Sequence, residues 1–196
     1  MKENIKIGII GLGQRGGIML ENPIIPMMKN GAGIEIAAVC DLLPDRVTAA
    51  AEKLEKAGFS RPAELTDYKE VLKIKELDAV YIAVSWEAHA EVAVAAMHAG
   101  KYVGLEAGGA YSIDDCCKLV RAYEETGTEL MLMENCCYGR RELMALNMAR
   151  KGVLGNIMHC SGAYCHDLRE EITSGKEIRH YRLRNYIPVS YTHLRA

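Results

Sequence analysis

The chain has 196 residues, 49% of them apolar and 26% charged, and a formal net charge of −2. This is the composition of a folded globular protein long enough to bury a core, and it excludes a mini-protein. With no dense Lys/Arg block, it gives no electrostatic case for a nucleic-acid partner and points to a small molecule. No apolar run approaches the ~18 residues a membrane-spanning helix needs, and Ile5 to Ile10 reads as a first strand, not a signal-peptide core. As written, the chain is expected in the cytoplasm; a parent carrying an export signal would leave it. The seven cysteines (Cys40, Cys116, Cys117, Cys136, Cys137, Cys160 and Cys165) lie in apolar or helical stretches without framework spacing, and read as reduced thiols.

In chain order, the first strand Ile5 to Ile10 is followed by Met19 to Asn30, where Pro23 and Pro26 limit any helix. Ile34 to Asp41 is a second apolar, β-branched run ending in an acid. Pro44 to Ala57 carries helical spacing and stops at Gly58. Asp67 to Lys75 reads as a short helix, and Asp78 to Val84 as a third strand. Ala90 to Gly100 (helix), Lys101 to Glu106 (strand), Ser112 to Thr126 (helix) and Glu129 to Asn135 (strand) continue the alternation. Continuous apolar strands suit a parallel sheet covered on both faces, so the pattern predicts a Rossmann-type, doubly wound α/β fold. Tyr138 to Lys151 reads as a further helix and Gly155 to Asp167 as a strand. The expected organisation is a nucleotide-binding domain over 1–137, a linking helix and the start of an α+β substrate domain over 138–186, and a non-native tail over 187–196.

Gly11, Gly13 and Gly16 form G-x-G-x-x-G directly after the first strand. The first glycine suits a tight turn, the second a close approach of backbone to pyrophosphate, and the third close helix–strand packing. Asp41 ends the next strand, where an acid accepts hydrogen bonds from a ribose hydroxyl and repels a 2′-phosphate. The spacing favours NAD over NADP, although Arg15 in the loop is able to neutralise phosphate.

The segments "GIIGLGQRG", "AVSWEAHAEVAVAAMHAGKYVGLEAGGA", "MENCCYGRRELMALNMARKGVLGNI" and "GAYCHDLRE" together resemble the Gfo/Idh/MocA oxidoreductases, and within them glycoside hydrolase family 109. The likeness runs from Ile5 to about Tyr186. Sugar dehydrogenases of the broader family carry Glu-Lys-Pro where this chain has Glu106-Ala107-Gly108, and the missing lysine agrees with the glycosidase branch. The resemblance implies a redox-assisted cleavage, on α-N-acetylgalactosaminides, in which NAD takes hydride from the sugar C3. The ketone then acidifies the C2 proton, the aglycone is eliminated, water adds and the hydride returns. The usual glycosidase instead needs two flanking carboxylates.

By the same resemblance Gln14, Arg15, Asp41, Trp86, Glu87 and His89 meet the cofactor together with the glycine loop. Glu106 and Asn135 lie near its nicotinamide half. Tyr164 and His166 face the sugar, and Glu134 is an acid/base neighbour. Ala88 departs from the family's second aromatic in the "WEAH" run. If Gly155 to Asp167 is a strand, Tyr164 and His166 project from one face, and both residue types suit proton shuttling. No metal site is expected, because Cys160 and Cys165 fall on opposite strand faces and no second Cys/His pair completes a set. Cys116-Cys117 and Cys136-Cys137 read as small apolar fillers, and Leu130 to Met133 as core.

Past Tyr186 the resemblance stops, and Ile187 to Ala196 reads as translated adapter sequence. The chain is therefore expected to bind dinucleotide without hydrolysing glycosides, leaving a sheet edge and apolar surface unpaired, while the intact parent, a candidate homo-oligomer, carries the activity. Two alternatives are a sugar or polyol dehydrogenase and a non-catalytic dinucleotide-binding protein.

Overall fold

A computed structural model of the chain describes residues 4–134, 137 and 139–161, and singly 163, 165, 167, 169, 173 and 179. The chain divides into two compact units, Met1–Met133 and Glu134–Ala196. The first holds six parallel strands: β1 (Ile5–Ile10), β2 (Ile34–Cys40), β3 (Ala63–Leu65), β4 (Ala79–Ile82), β5 (Tyr102–Glu106) and β6 (Leu130–Met133). Their order across the sheet is β3-β2-β1-β4-β5-β6. The winding reverses between β1 and β4, and open α/β sheets bind their ligands at the carboxyl ends of the strands at such a reversal.

The apolar runs are continuous because the central strands β1, β2 and β4 feed two cores. Ile10, Cys40, Val80, Ile82, Val103 and Leu105 face one layer, which holds Val92, Ala93, Ala96 and Met97 of α5 (Trp86–His98) and Ala122 of α6 (Ile113–Thr126). Ile9, Val39 and Tyr81 face the other, packed by Leu20, Ile25 and by Val47, Ala51 and Leu54 of α3 (Pro44–Lys56). A short α4 (Tyr68–Leu72) is capped by Asp67, whose side chain accepts from the Lys69 N–H at 2.9 Å.

Lys101, immediately before β5, is buried; its ammonium donates to the carbonyls of Ile74 and Leu77 at 2.8 Å and of Lys75 at 3.3 Å. It thereby closes the turn that feeds β4. On the outside, His98 of α5 donates from Nδ1 to Val94 O and from Nε2 to Glu125 of α6, and these partners raise its pKa.

The structure revises several sequence expectations. The two prolines do not break the segment after the glycine loop. It is helical from α1 (Gln14–Met19) through a π-helical stretch (Leu20–Ile24) to α2 (Ile25–Lys29). In the π stretch the Ile25 N–H donates to Leu20 O, and the wider turn accommodates Pro23, which has no N–H to place. β3 went unread because Ala-Glu-Leu has no apolar run, and α5 begins at Trp86, ahead of Ala90. Cys116 and Cys117 are exposed on α6, so they fill no core. In the edge strand β6, Met131 and Leu132 are exposed.

In the second unit, α7 (Arg140–Arg150) has no buried residue. Residues 155–161 lie in turn and coil: among the described residues no strand lies alongside to pair with the expected strand Gly155 to Asp167. The shared strand face argued for Tyr164 and His166 loses its basis. Tyr164, His166, Asn135 and the tail 187–196 lie outside the described residues. No described helix is long and apolar enough to cross a membrane.

Candidate cofactor site

The glycine loop leaves β1 at the point where the winding reverses. Gly11 has φ +96°, and a Cβ there would stand 2.5 Å from the Ala83 carbonyl beyond β4. Only glycine meets both conditions. Its N–H donates to Cys40 O at 2.8 Å, tying the loop to the end of β2. A Cβ on Gly16 would stand 1.9 Å from Gly11 O, so this residue lets α1 lie against the turn. Gly13 differs: the nearest atom to an added Cβ is Arg46 Nη1, at 3.4 Å. Only the tip of the Arg46 side chain thus stands over Gly13 at the start of the helical run, where the N-cap residue makes no side-chain hydrogen bond and the first turn holds no acid. Exposed N–H groups at the positive end of a helix suit a pyrophosphate, so the loop fits the dinucleotide.

Asp41 directly follows β2. Its Oδ2 accepts from the Leu12 N–H at 2.8 Å and its Oδ1 from the Leu43 N–H at 3.0 Å, while Arg46 Nη1 stands 3.7 Å from Oδ2. The acid thus holds the glycine loop in shape. Neighbouring Cys40 has its thiol pushed up to about 12, by burial first and then by the Asp41 and Asp67 carboxylates.

On the other side of the loop, Glu106 ends β5 and is only 5% exposed. Its Oε1 accepts from the Tyr81 hydroxyl at 2.7 Å and pairs with Arg15 Nε at 3.0 Å, and its Oε2 accepts from the Ala107 N–H at 3.2 Å. In register, Tyr81 of β4 sits opposite Gly104 of β5. A Cβ on Gly104 would make only an ordinary contact with the Tyr81 ring, at 3.8 Å. Burial, and then the bond to Glu106, raise the Tyr81 phenol pKa well above its ordinary value, with Arg15 pulling the other way.

Trp86 and Gly108 interlock: Gly108 has φ +85°, and a Cβ there would stand 2.5 Å from the indole Nε1. His89 is 1% exposed; its Nε2 donates to Val84 O at 3.0 Å, and its Nδ1 has no hydrogen-bond partner among the described residues. Burial is the main reason its pKa is lowered, against the nearby Val84 and Gly108 carbonyls and the Glu106 charge. Through this bond His89 ties the start of α5 to the chain leaving β4.

Gly11, Gly13, Arg15, Gly16, Asp41, Trp86, His89 and Glu106 thus gather at one edge of the sheet, with exposed Gln14 opening α1. Glu87 is exposed on the first turn of α5, and Glu134, also exposed, follows β6 at the start of the second unit. Sequence reasoning missed Tyr81 and Arg46. A lone hydroxyl inside the aliphatic run "AVYI" was the available signal for the first, and an arginine five residues beyond Asp41 for the second.

Residues 5–134 match the family described as "Oxidoreductase family, NAD-binding Rossmann fold", and residues 138–183 match "Glycosyl hydrolase 109, C-terminal domain". Among curated proteins, the chain is 40% identical over 172 residues to a glycosyl hydrolase family 109 protein of Streptomyces niveus, covering 86% of this chain and 34% of that one. It is 41% identical to glycosyl hydrolase family 109 protein 2 of Phocaeicola vulgatus, covering 85% of this chain and 40% of the relative. The chain therefore spans between a third and two fifths of the length of these relatives.

Among solved structures, apo scyllo-inositol dehydrogenase from Lactobacillus casei superposes with a TM-score of 0.70 at 21% identity, covering 80% of this chain and 44% of that one. The WlbA dehydrogenase from Bordetella pertussis, in complex with NADH and UDP-GlcNAcA, gives 0.66 at 23% identity, covering 79% and 44%. These two likenesses carry the fold. With a glycine cradle, an acid closing β2 and a family match over most of its length, the chain belongs to the Gfo/Idh/MocA oxidoreductases and carries their NAD-binding domain.

Proposed function

We propose that the chain is the cofactor-holding part of an NAD-dependent glycosidase that acts on α-N-acetylgalactosaminides. The observation that carries the reading is at the end of β5, where Glu106 is buried and paired but followed by Ala107. That position supplies no ammonium group to a sugar hydroxyl, as a simple dehydrogenase of this resemblance would need. The relatives named glycosyl hydrolase family 109 support the same direction. When bound, NAD supplies a hydride acceptor that later returns the hydride, so cleavage by water is redox-neutral overall.

The chain's residues divide the work. Gly13 and the open start of α1 receive the diphosphate, Asp41 the adenosine ribose, and Glu106, with Arg15, the nicotinamide half. Trp86 walls that half. Glu134, Tyr164 and His166 are proposed to exchange protons with the sugar, and Asn135 to meet the cofactor.

The test runs in two stages. Native mass spectrometry of the purified chain, followed by denaturation and an absorbance spectrum of the released molecule, is expected to find NAD(H). A protein of the relatives' full length is then expected to release p-nitrophenol from p-nitrophenyl α-N-acetylgalactosaminide with no net change at 340 nm. NADH formed in proportion to substrate would identify a sugar dehydrogenase and overturn the glycosidase reading. Failure of the folded chain to take up NAD(H) would overturn the dinucleotide site.

A further inference from the structure

Arg15 is the one charged side chain of the glycine loop. It reaches across the carboxyl end of β4 to Glu106 at the end of β5, with 38% of its side chain exposed. Strand order fixes what this span means. Asp41 stands on the β2 side of the loop and Glu106 on the β4–β5 side. A dinucleotide whose diphosphate lies on Gly13 and whose adenosine ribose meets Asp41 has to send its other half toward Glu106. The Arg15–Glu106 pair, backed by the Tyr81 hydroxyl on the same carboxylate oxygen, is thus the charged equipment of the nicotinamide end.

The two redox forms of the cofactor share the diphosphate charges and differ at the ring, which is cationic in NAD+ and neutral in NADH. A charge near the diphosphate alters both affinities alike, whereas a charge near the ring alters their ratio. Glu106 alone would favour the oxidised form. Arg15, held on the same oxygen, offsets that preference.

We propose that the Arg15–Glu106 pair, fixed by Tyr81, sets the relative affinity for NAD+ and NADH, keeping the two nearly equal so that neither form is lost during turnover. This deepens the cofactor-recycling reading and rests on it. Arg15 and Tyr81 are positioning residues here, since they act through the charge of Glu106.

The experiment measures dissociation constants of NAD+ and NADH separately on the full chain, stripped of retained cofactor. The chain's single tryptophan, Trp86, against Gly108 at this edge, is the fluorescent probe. Replacing one partner of a partly exposed charge pair is expected to move the ratio on the order of tenfold. Arg15→Met moves it toward NAD+, Glu106→Gln moves it toward NADH, and the double variant returns it to near the parent value. Arg15→Lys keeps the charge and holds the parent ratio even where both affinities drop.

Equal weakening of both forms in Arg15→Met would show a role in structure or in diphosphate binding only, and overturn the proposal. Should the buried Glu106→Gln variant fail to fold by circular dichroism, Arg15→Met and Arg15→Lys decide the matter alone. Binding of neither form to the parent chain overturns the dinucleotide reading itself, a result distinct from an unmoved ratio.

Discussion

Gly16 and Gly17 are adjacent, and the structure predicts opposite consequences for the same substitution. At Gly16 an added Cβ meets Gly11 O at 1.9 Å, against an ordinary C···O contact of about 3.3 Å, so α1 has to retreat from the turn by roughly 1.4 Å. The obstacle is backbone on both sides, with no side chain able to swing away. Overpacking of this kind costs about 3 kcal/mol, outweighing the ~1 kcal/mol that alanine gains over glycine inside a helix. At Gly17 the nearest atom to the new Cβ is Leu12 O at 3.9 Å, an ordinary contact, so the helix-propensity gain stands alone and Gly17→Ala is expected to stabilise by ~0.5–1 kcal/mol. Urea unfolding followed by Trp86 fluorescence and far-UV circular dichroism reads both. Gly16→Ala as stable as the parent, or the two variants shifting together, would refute the close approach of Gly11 and Gly16.

Lys101→Met leaves the carbonyls of Ile74 and Leu77 without their buried donor, and is expected to lower stability by about 2–3 kcal/mol in urea unfolding. Two histidines give opposite pH dependence. His89 has a lowered folded pKa, so the unfolded chain binds the extra proton; its contribution is present above the ordinary histidine pKa near 6.5 and is lost as pH falls below it, and His89→Gln flattens that acid limb. His98 has a raised folded pKa, so its contribution is complete below the ordinary value and is lost as pH rises through the folded pKa, a trend that Glu125→Gln weakens. With its thiol near pKa 12 and buried, Cys40 is expected to resist iodoacetamide at pH 8, while exposed Cys116 and Cys117 react. Peptide mapping before and after adding urea checks this.

The strands were legible because a parallel sheet covered on both faces writes itself as uninterrupted apolar runs, and "IKIGII", "IEIAAVC" and "AVYI" all lie where such runs predict. Ala63–Leu65 escaped because it pairs at the outer edge with too few residues to show a pattern. The glycine loop and Asp41 were legible because their roles are local: a turn, a close approach and an acid a fixed distance on. The Arg15–Glu106–Tyr81 cluster was not, since 91 residues separate the first two and only the order β1-β4-β5 brings them together. Among its described residues the segment Gly155 to Asp167 forms no strand, for a related reason: a strand exists only where a neighbour accepts it, and no described strand lies alongside.

The π-helical stretch between α1 and α2 bears on how this segment tolerates change in length. Leu20 and Ile25, five residues apart, are both buried in the same core, although in a regular α-helix positions so spaced diverge by about 140°. The wide turn absorbs one residue more than an α-helix would hold and returns the chain to phase. Loss of exposed Asn22 would leave the two anchors four apart, the spacing at which an ordinary helix again turns both inward. The helix behind the glycine loop is therefore compatible with two lengths differing by one residue, and a single-residue gap here between relatives would leave the cradle in front of it undisturbed.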